Sequence, residues 1–326
     1  MVTLYQPATC PNHTILTDYM PSGTTAAYDA LLVSMGVSVP YGTFSSFKLQ
    51  TCPRFSLTAH SYPFVIFSPG MGDSRLLYGH LCQIISMYGF SVISIDHPYD
   101  ANIVEYPDGT IVTAANISGI DGLDEDLSVR VADVSFVLEI VSSVSNLFGL
   151  PPSSININKV VILGHSFGGA TAAEAILSDP PLAGGINMDG SLFGQALNTA
   201  DEKPFLLIGN AQKNQTNDPS WAAFWSELTG AKLQLRIDAT EHGSSTDYPT
   251  LANAIGVNPA SDPKIAGLIG SINPVRMSEI LEQYIGAFVD LSRGGKPSPL
   301  LERLSTVFPV KDGWFRVQAF RAFAFI

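Results

Sequence analysis

Basic residues are scarce in this chain. Seventeen Lys and Arg stand against 29 Asp and Glu, a net charge of −12 over 326 residues. A phosphate backbone would meet repulsion over most of such a surface, so nucleic acid is not expected as a partner. Charge of either sign is thin, 14% of residues, while 46% are hydrophobic, a balance that excludes a disordered chain and a charged coiled coil. Long apolar runs are missing too, and none approaches the roughly 18 residues of a membrane-spanning helix. Cysteine is limited to Cys10, Cys52 and Cys82. They form no CxxC pair and no zinc spacing, so neither a metal nor another cofactor is expected. Cys82 lies in an apolar helical run and reads as a buried thiol. Cys10 and Cys52 lie in proline-containing loops where a disulfide can form, and no spacing rule decides whether it does.

A leader is also absent from the start as written: Met1 to Cys10 has neither a basic nor an apolar signal region, which makes a cytoplasmic location the expectation. Acceptor patterns for glycosylation at Asn12, Asn116 and Asn214 keep an exported ancestor in view.

Short apolar runs alternating with helical periodicity fill the middle of the chain, the pattern of a mostly parallel sheet with helices on both faces. Strands are expected at Phe64–Phe67, Ser91–Ile95, Val160–Leu163, Gly185–Met188, Phe205–Ile208 and Leu233–Ile237. Helices are expected at Leu76–Tyr88, Leu127–Phe148, Ser166–Leu177, Trp221–Leu228 and Met277–Leu291. With no repeat and no linker, residues 1–326 read as a single α/β domain. Residues 102–126 have no clear period and read as a loop bordering a pocket. Residues 297–326 form an aromatic, mildly basic tail that is expected to pack on the body, with membrane-surface or partner contact as the alternative.

Gly164-His-Ser-Phe-Gly168 is a GxSxG pattern. Alone it is weak, but here a strand run precedes it and an Ala-rich helix follows, as a nucleophile on a strained strand-to-helix turn requires. A serine hydroxyl needs an imidazole base held by a carboxylate. Of the six histidines, His242 follows the last expected strand, where the order Ser, acid, His places the base. His97, after the Ser91–Ile95 strand, is the competitor. For the acid, Asp189 and Asp218 each follow a strand and remain tied on pattern alone, with Asp238 less favoured. The N–H of Phe167 and that of Met71, in the Ser68-Pro-Gly-Met-Gly72 turn, are expected to form an oxyanion hole. Asp73 or Ser74 there can also cap the following helix.

The blocks Phe67-Ser-Pro-Gly-Met-Gly72 and Gly164-His-Ser-Phe-Gly-Gly-Ala-Thr171, with Asp189 and His242, resemble the α/β-hydrolases related to platelet-activating-factor acetylhydrolase, especially fungal members. The resemblance runs from about Met1 to Leu291. It implies the α/β-hydrolase fold, Asp189 as the acid, Met71 and Phe167 as oxyanion donors, and calcium-independent hydrolysis of short acyl esters, with a small-molecule ester as the partner. Asp96-His-Pro-Tyr-Asp100, Tyr106-Pro-Asp-Gly109, and Arg130 with Asp133 are similar to fungal members as well. Arg130 and Asp133 can pair at i, i+3, and Asp96 can brace a loop. Relatives of this type usually carry a leader and an opening hairpin before a segment similar to Met1–Pro7. The expectation is therefore a serine esterase, with two alternatives: an intracellular hydrolase or acyltransferase acting on an ester, lactone or thioester of a secondary metabolite, or a binding protein on a retained hydrolase fold. Oligomeric state is left open.

Overall fold

Strands buried on both faces read as continuous apolar runs, and such runs build this molecule. The computed structural model describes residues 1–10, 13–37, 39–53, 61–116, 119–144, 147–149, 155–302 and 317–322. Its strands are β1 (Val2–Tyr5), β2 (Ile15–Asp18), β3 (Lys48–Thr51), β4 (Tyr62–Ser68), β5 (Ser91–Ile95), β6 (Ile103–Glu105), β7 (Ile111–Thr113), β8 (Ile155–His165), β9 (Leu182–Met188), β10 (Phe205–Gly209), β11 (Lys232–Ile237) and β12 (Val317–Ala322). Eight of them make one sheet in the order β1-β5-β4-β8-β9-β10-β11-β12. The six inner strands run parallel, and the edge strands β1 and β12 run antiparallel to β5 and β11.

The helices are α1 (Ser22–Ser34), α2 (Thr43–Ser46), α3 (Gly79–Met87), α4 (Gly119–Ser143), α5 (Phe167–Ser178), α6 (Pro219–Glu227), α7 (Tyr248–Ala254), α8 (Pro263–Ile269), α9 (Pro274–Ser292) and α10 (Pro299–Glu302). Because strand side chains alternate between faces, the central strands β4, β8 and β10 feed two cores. Val65, Phe67, Val161, Leu163, Leu206 and Ile208 join Leu81 and Ile85 of α3 and Ile285 and Phe288 of α9. Phe64, Ile66, Val160, Ile162, Phe205 and Leu207 join Val134 of α4, Ala173 of α5 and Trp221 of α6. α9 starts on the Asn273 side chain, which accepts from Arg276 N–H, with Pro274 at the first helical position, where its missing donor does no harm.

The α/β-hydrolase fold read from sequence is the fold observed, and each expected strand lies within an observed one. Four differences have physical causes. Residues 102–126 hold the β6–β7 hairpin, closed by Tyr106 N–H to Thr110 and Gly109 N–H to Tyr106; three-residue strands are too short to show alternation. They also hold the start of α4, which begins eight residues before the expected Leu127 and stops at Ser143. The segments α1, β2 and β3 early in the chain and α7 and α8 late in it were not foreseen, their polar faces masking any period. Finally, β12 from the C-terminal tail lies along β11, with Lys232 opposite Ala322 and Ile237 opposite Val317; residues 303–316 and 323–326 of that tail lie outside the described residues, as does Asn12. A disulfide joins Cys10 and Cys52, tying the segment after β1 to the end of β3, and Cys82 is buried and free. Among the described residues no helix is long and apolar enough to cross a membrane.

Candidate active site

β8 ends at His165 and α5 starts at Phe167, so Ser166 takes the turn alone, at φ 53° and ψ −122°. A non-glycine residue held there costs about 1–3 kcal/mol, which the surroundings must offset. Two hydrogen bonds hold it, Ser166 N–H to Met188 O (2.8 Å) and Gly169 N–H to Ser166 O (2.9 Å). Small neighbours make the turn possible. A Cβ on Gly164 would overlap the Gly168 backbone, one on Gly168 would overlap the Ser68 and Pro69 carbonyls, and one on Gly190 would overlap the Ser166 carbonyl.

Asp189 leaves β9 at φ 60° and is 2% exposed. Its Oδ2 lies 2.6 Å from His242 Nδ1. Asn210, just past β10, donates its backbone N–H to Asp189 Oδ1 (2.8 Å) and its side-chain amide to Oδ2 (3.0 Å). The following Gly190 is locked by buried Asn187, which both donates to and accepts from its backbone, and by the Trp221 indole N–H on its carbonyl. His242 opens a 3-10 turn that Glu241 and Ser244 cap reciprocally. Its side chain is 54% exposed, so one edge of the ring is held by a buried carboxylate while the other is open to solvent.

A second ring lies beneath it. His165 packs on His242 with ring centroids 4.7 Å apart, and its Nε2 donates to the His242 carbonyl (2.9 Å). Burial, helped by the neighbouring His242, pushes the His165 pKa down to about 3, so the ring is neutral and Nδ1 is an acceptor. That nitrogen faces the Tyr78 hydroxyl at 2.8 Å. The same hydroxyl lies 2.6 Å from Asp73 Oδ2 and accepts from Gly70 N–H (3.2 Å). One phenolic proton cannot serve both neighbours. When Tyr78 donates to His165, the contact with Asp73 requires a protonated carboxyl, and burial pushes Asp73 up to about 6.

The Ser68–Gly72 turn packs over this cluster. Gly72, at φ 78°, donates its N–H to Asp100 Oδ1 (3.1 Å), and its carbonyl accepts from Asn102 N–H (2.8 Å). Buried Arg130, from α4, donates to Pro69 O (2.8 Å) and Gly70 O (3.2 Å). It also forks onto Asp100, at 2.9 and 2.6 Å. Arg130 holds Asp100 below the usual carboxylate range against the opposing effect of burial, while burial and the neighbouring Asp100 push Asp126 up to about 7. Among the described residues the N–H groups of Met71 and Phe167 have no hydrogen-bond partner.

Other candidates from sequence lie elsewhere. The His97 ring is buried between Ser68 Oγ (3.0 Å) and Asp133 Oδ2 (2.8 Å), not at Ser166. Asp218 caps α6 and binds Ser191 and Lys213, and Asp238 pairs with Arg236. Arg130 does not pair with Asp133 as i, i+3 spacing allowed, because the guanidinium turns inward to Asp100. Asp96 does brace a loop, accepting from Ser74 Oγ and Arg75 N–H and pairing with the Arg75 guanidinium. Ser74, rather than Asp73, caps the turn that precedes α3. Asn187, Asn210 and Tyr78 were missed; the only hint was a polar residue inside an apolar run, as at Asn187. Among the described residues no cluster of three His, Cys, Asp or Glu side chains could hold a metal.

The chain is similar to known proteins. A family model described as platelet-activating factor acetylhydrolase, isoform II, matches residues 42–110 and 136–284. The chain is 34% identical over 263 residues to a protein of Arthroderma benhamiae named "probable 1-alkyl-2-acetylglycerophosphocholine esterase", covering 77% of this chain and 65% of that one. It is 23% identical over 220 residues to a platelet-activating factor acetylhydrolase of Cavia porcellus, covering 59% and 50%. The chain thus spans less than two thirds of the length of these relatives. Among solved structures, the ferulic acid esterase from Streptomyces cinnamoneus superposes with a TM-score of 0.78 at 26% identity, over 94% of this chain and 86% of that one. By the extent of the family match, this chain belongs to the platelet-activating factor acetylhydrolase family, built on the α/β-hydrolase fold.

Proposed function

We propose that this chain is a serine-dependent carboxylic-ester hydrolase with a preference for short acyl groups, working through an acyl-serine intermediate. Ser166 Oγ attacks the ester carbonyl and passes its proton to His242 Nε2, the ring nitrogen turned away from Asp189. Met71 and Phe167 N–H groups receive the tetrahedral oxyanion, aided by the N-terminal dipole of twelve-residue α5. Collapse breaks the ester C–O bond, and the departing alcohol takes the proton back from His242. Water then attacks the acyl-serine, giving a proton to His242 that returns to Ser166 as the acid leaves.

The observation that carries this reading is the half-exposed His242 ring, bound through Nδ1 to buried Asp189 at 2.6 Å, beside a serine on a strained turn. The two Asn210 bonds keep that carboxylate aimed at the ring. Relatives named for esterase and acetylhydrolase activity support the reaction class. The test compares wild type and Ser166→Ala on p-nitrophenyl acetate, methyl ferulate and a 1-alkyl-2-acetylglycerophosphocholine. Wild type is expected to turn over the acetyl esters, and Ser166→Ala is expected to lose turnover and labelling by a fluorophosphonate probe. Wild-type-like activity in the variant would overturn the assignment. Absence of both turnover and labelling in wild type would leave a binding protein on this fold.

A further inference from the structure

We infer that Arg130 is a positioning residue for both oxyanion donors, and that its guanidinium strengthens the Met71 N–H as well as placing it. This rests on the hydrolase reading above. The Gly70 carbonyl that accepts from Arg130 Nη2 belongs to the same peptide unit as the Met71 N–H. A cation bonded to the oxygen end of a peptide draws charge toward it and leaves the N–H end a better donor, the more so in a low-dielectric interior. Here the cation is fully buried, so water does not dilute the effect.

Two further contacts of the guanidinium act in the same sense. Nη1 holds Pro69 O, so consecutive carbonyls on the N-terminal side of Met71 are clamped and the turn cannot rotate its N–H away from the serine. The guanidinium carbon also lies 4.9 Å from the centroid of the Phe167 ring, and Phe167 carries the second donor. One side chain from α4 therefore touches both halves of an oxyanion hole supplied by β4 and α5, elements about 100 residues apart in sequence. Asp100 fixes the guanidinium from its far side with two bonds. A residue serving the fold alone has no need to reach the carbonyl of the Met71 peptide.

The test uses the full chain with Arg130→Gln and Arg130→Lys. Arg75→Gln serves as a control, because it breaks the other buried Arg–Asp pair, with Asp96, and touches neither donor. Three readouts are compared: kcat and KM on p-nitrophenyl acetate, inhibition by an aliphatic trifluoromethyl ketone whose adduct with Ser166 is an oxyanion, and the melting temperature. Arg130→Gln is expected to lower kcat by about 10- to 100-fold with KM within about twofold, and to weaken the ketone by a similar factor. Arg130→Lys, which restores the charge but not the fork, is expected to recover part of both. Arg75→Gln is expected to lower the melting temperature while leaving kcat within about twofold.

Should Arg130→Gln fail to fold, Arg130→Lys against Arg75→Gln makes the same comparison. Folded Arg130 variants with wild-type kcat and ketone affinity would overturn the inference, as would an Arg75→Gln loss of kcat as large as theirs. In either of those cases a dead Ser166→Ala leaves the hydrolase reading standing. An active Ser166→Ala removes that reading itself.

Discussion

Two groupings of Ser, His and Asp lie within this molecule, both at the C-terminal edge of the parallel strands. Ser68, His97 and Asp133 are joined in series by bonds of 3.0 and 2.8 Å. His242 and Asp189 are joined at 2.6 Å beside Ser166. By residue type and bond length the first looks the more complete, yet Ser68 and His97 are buried and Ser68 closes a regular strand. Nothing there can admit a carbonyl. The second has a half-exposed imidazole, a serine lifted off the strand by positive φ, a helix starting at its back, and two unengaged N–H groups nearby. The comparison teaches that a triad of residue types is not a site. Access and preorganised donors are what distinguish one from a structural hydrogen-bond chain.

The sharpest way to break that distinction is to delete each serine. Ser166→Ala is expected to reduce p-nitrophenyl acetate turnover by at least about 10³-fold. Ser68→Ala keeps turnover within about threefold and loses about 1–2 kcal/mol in urea denaturation, the cost of leaving buried His97 Nε2 without its partner. Comparable losses of activity would erase the difference. The carboxylates come next: Asp189→Asn should lower kcat by about 10³- to 10⁴-fold, because the ring loses its orienting anion, while Asp133→Asn stays within about threefold. A greater loss at Asp133 would exchange the roles.

The rings can be separated by pH. Burial lowers the pKa of His97, with Arg130 adding to the effect, and lowers His165 to about 3 from an ordinary 6.5. An unfolded chain takes up a proton on such a histidine near pH 6.5 and the folded one only near 3. The stability from neutral His165 is therefore present above about pH 6.5 and lost as pH falls toward 3, by at most about 5 kcal/mol. Denaturation midpoints across that window should fall less steeply in His165→Asn than in wild type, and parallel slopes would refute the neutral ring. The smallest effect expected is at Asp218. Asp218→Asn retains turnover within about twofold and costs about 1 kcal/mol or less, since an Asn still caps α6 while the Lys213 pair and the Ser191 bond are weakened; a kcat loss matching that of Asp189→Asn would reopen the choice of acid.

Much of this was legible in the chain. The inner strands were readable because burial on both faces leaves unbroken apolar runs, and the Ser166 turn because Gly164 and Gly168 stand where a Cβ would strike backbone. The tie between Asp189 and Asp218 shows where reading stops. Both follow strands, so pattern alone left them tied and only the family resemblance pointed to Asp189; in the fold that carboxylate meets His242 while Asp218 is spent on a helix cap and Lys213. Asn210, Tyr78 and the inward turn of Arg130 were beyond reach for the same reason: each acts through a partner 21 to 87 residues away, Asp189, His165 and Asp100 respectively.

By itself, then, the sequence determined the inner strands and a turn at Ser166 whose sterics require glycine neighbours, because side-chain periodicity and backbone clashes are local properties of the chain. Tertiary structure alone decided which serine is open, which histidine is held by a buried carboxylate, and which arginine braces the turn. Hydrogen bonding depends on distance and burial, and the fold assigns both by bringing β4, α4, β8, β9 and the His242 turn to one edge of the sheet.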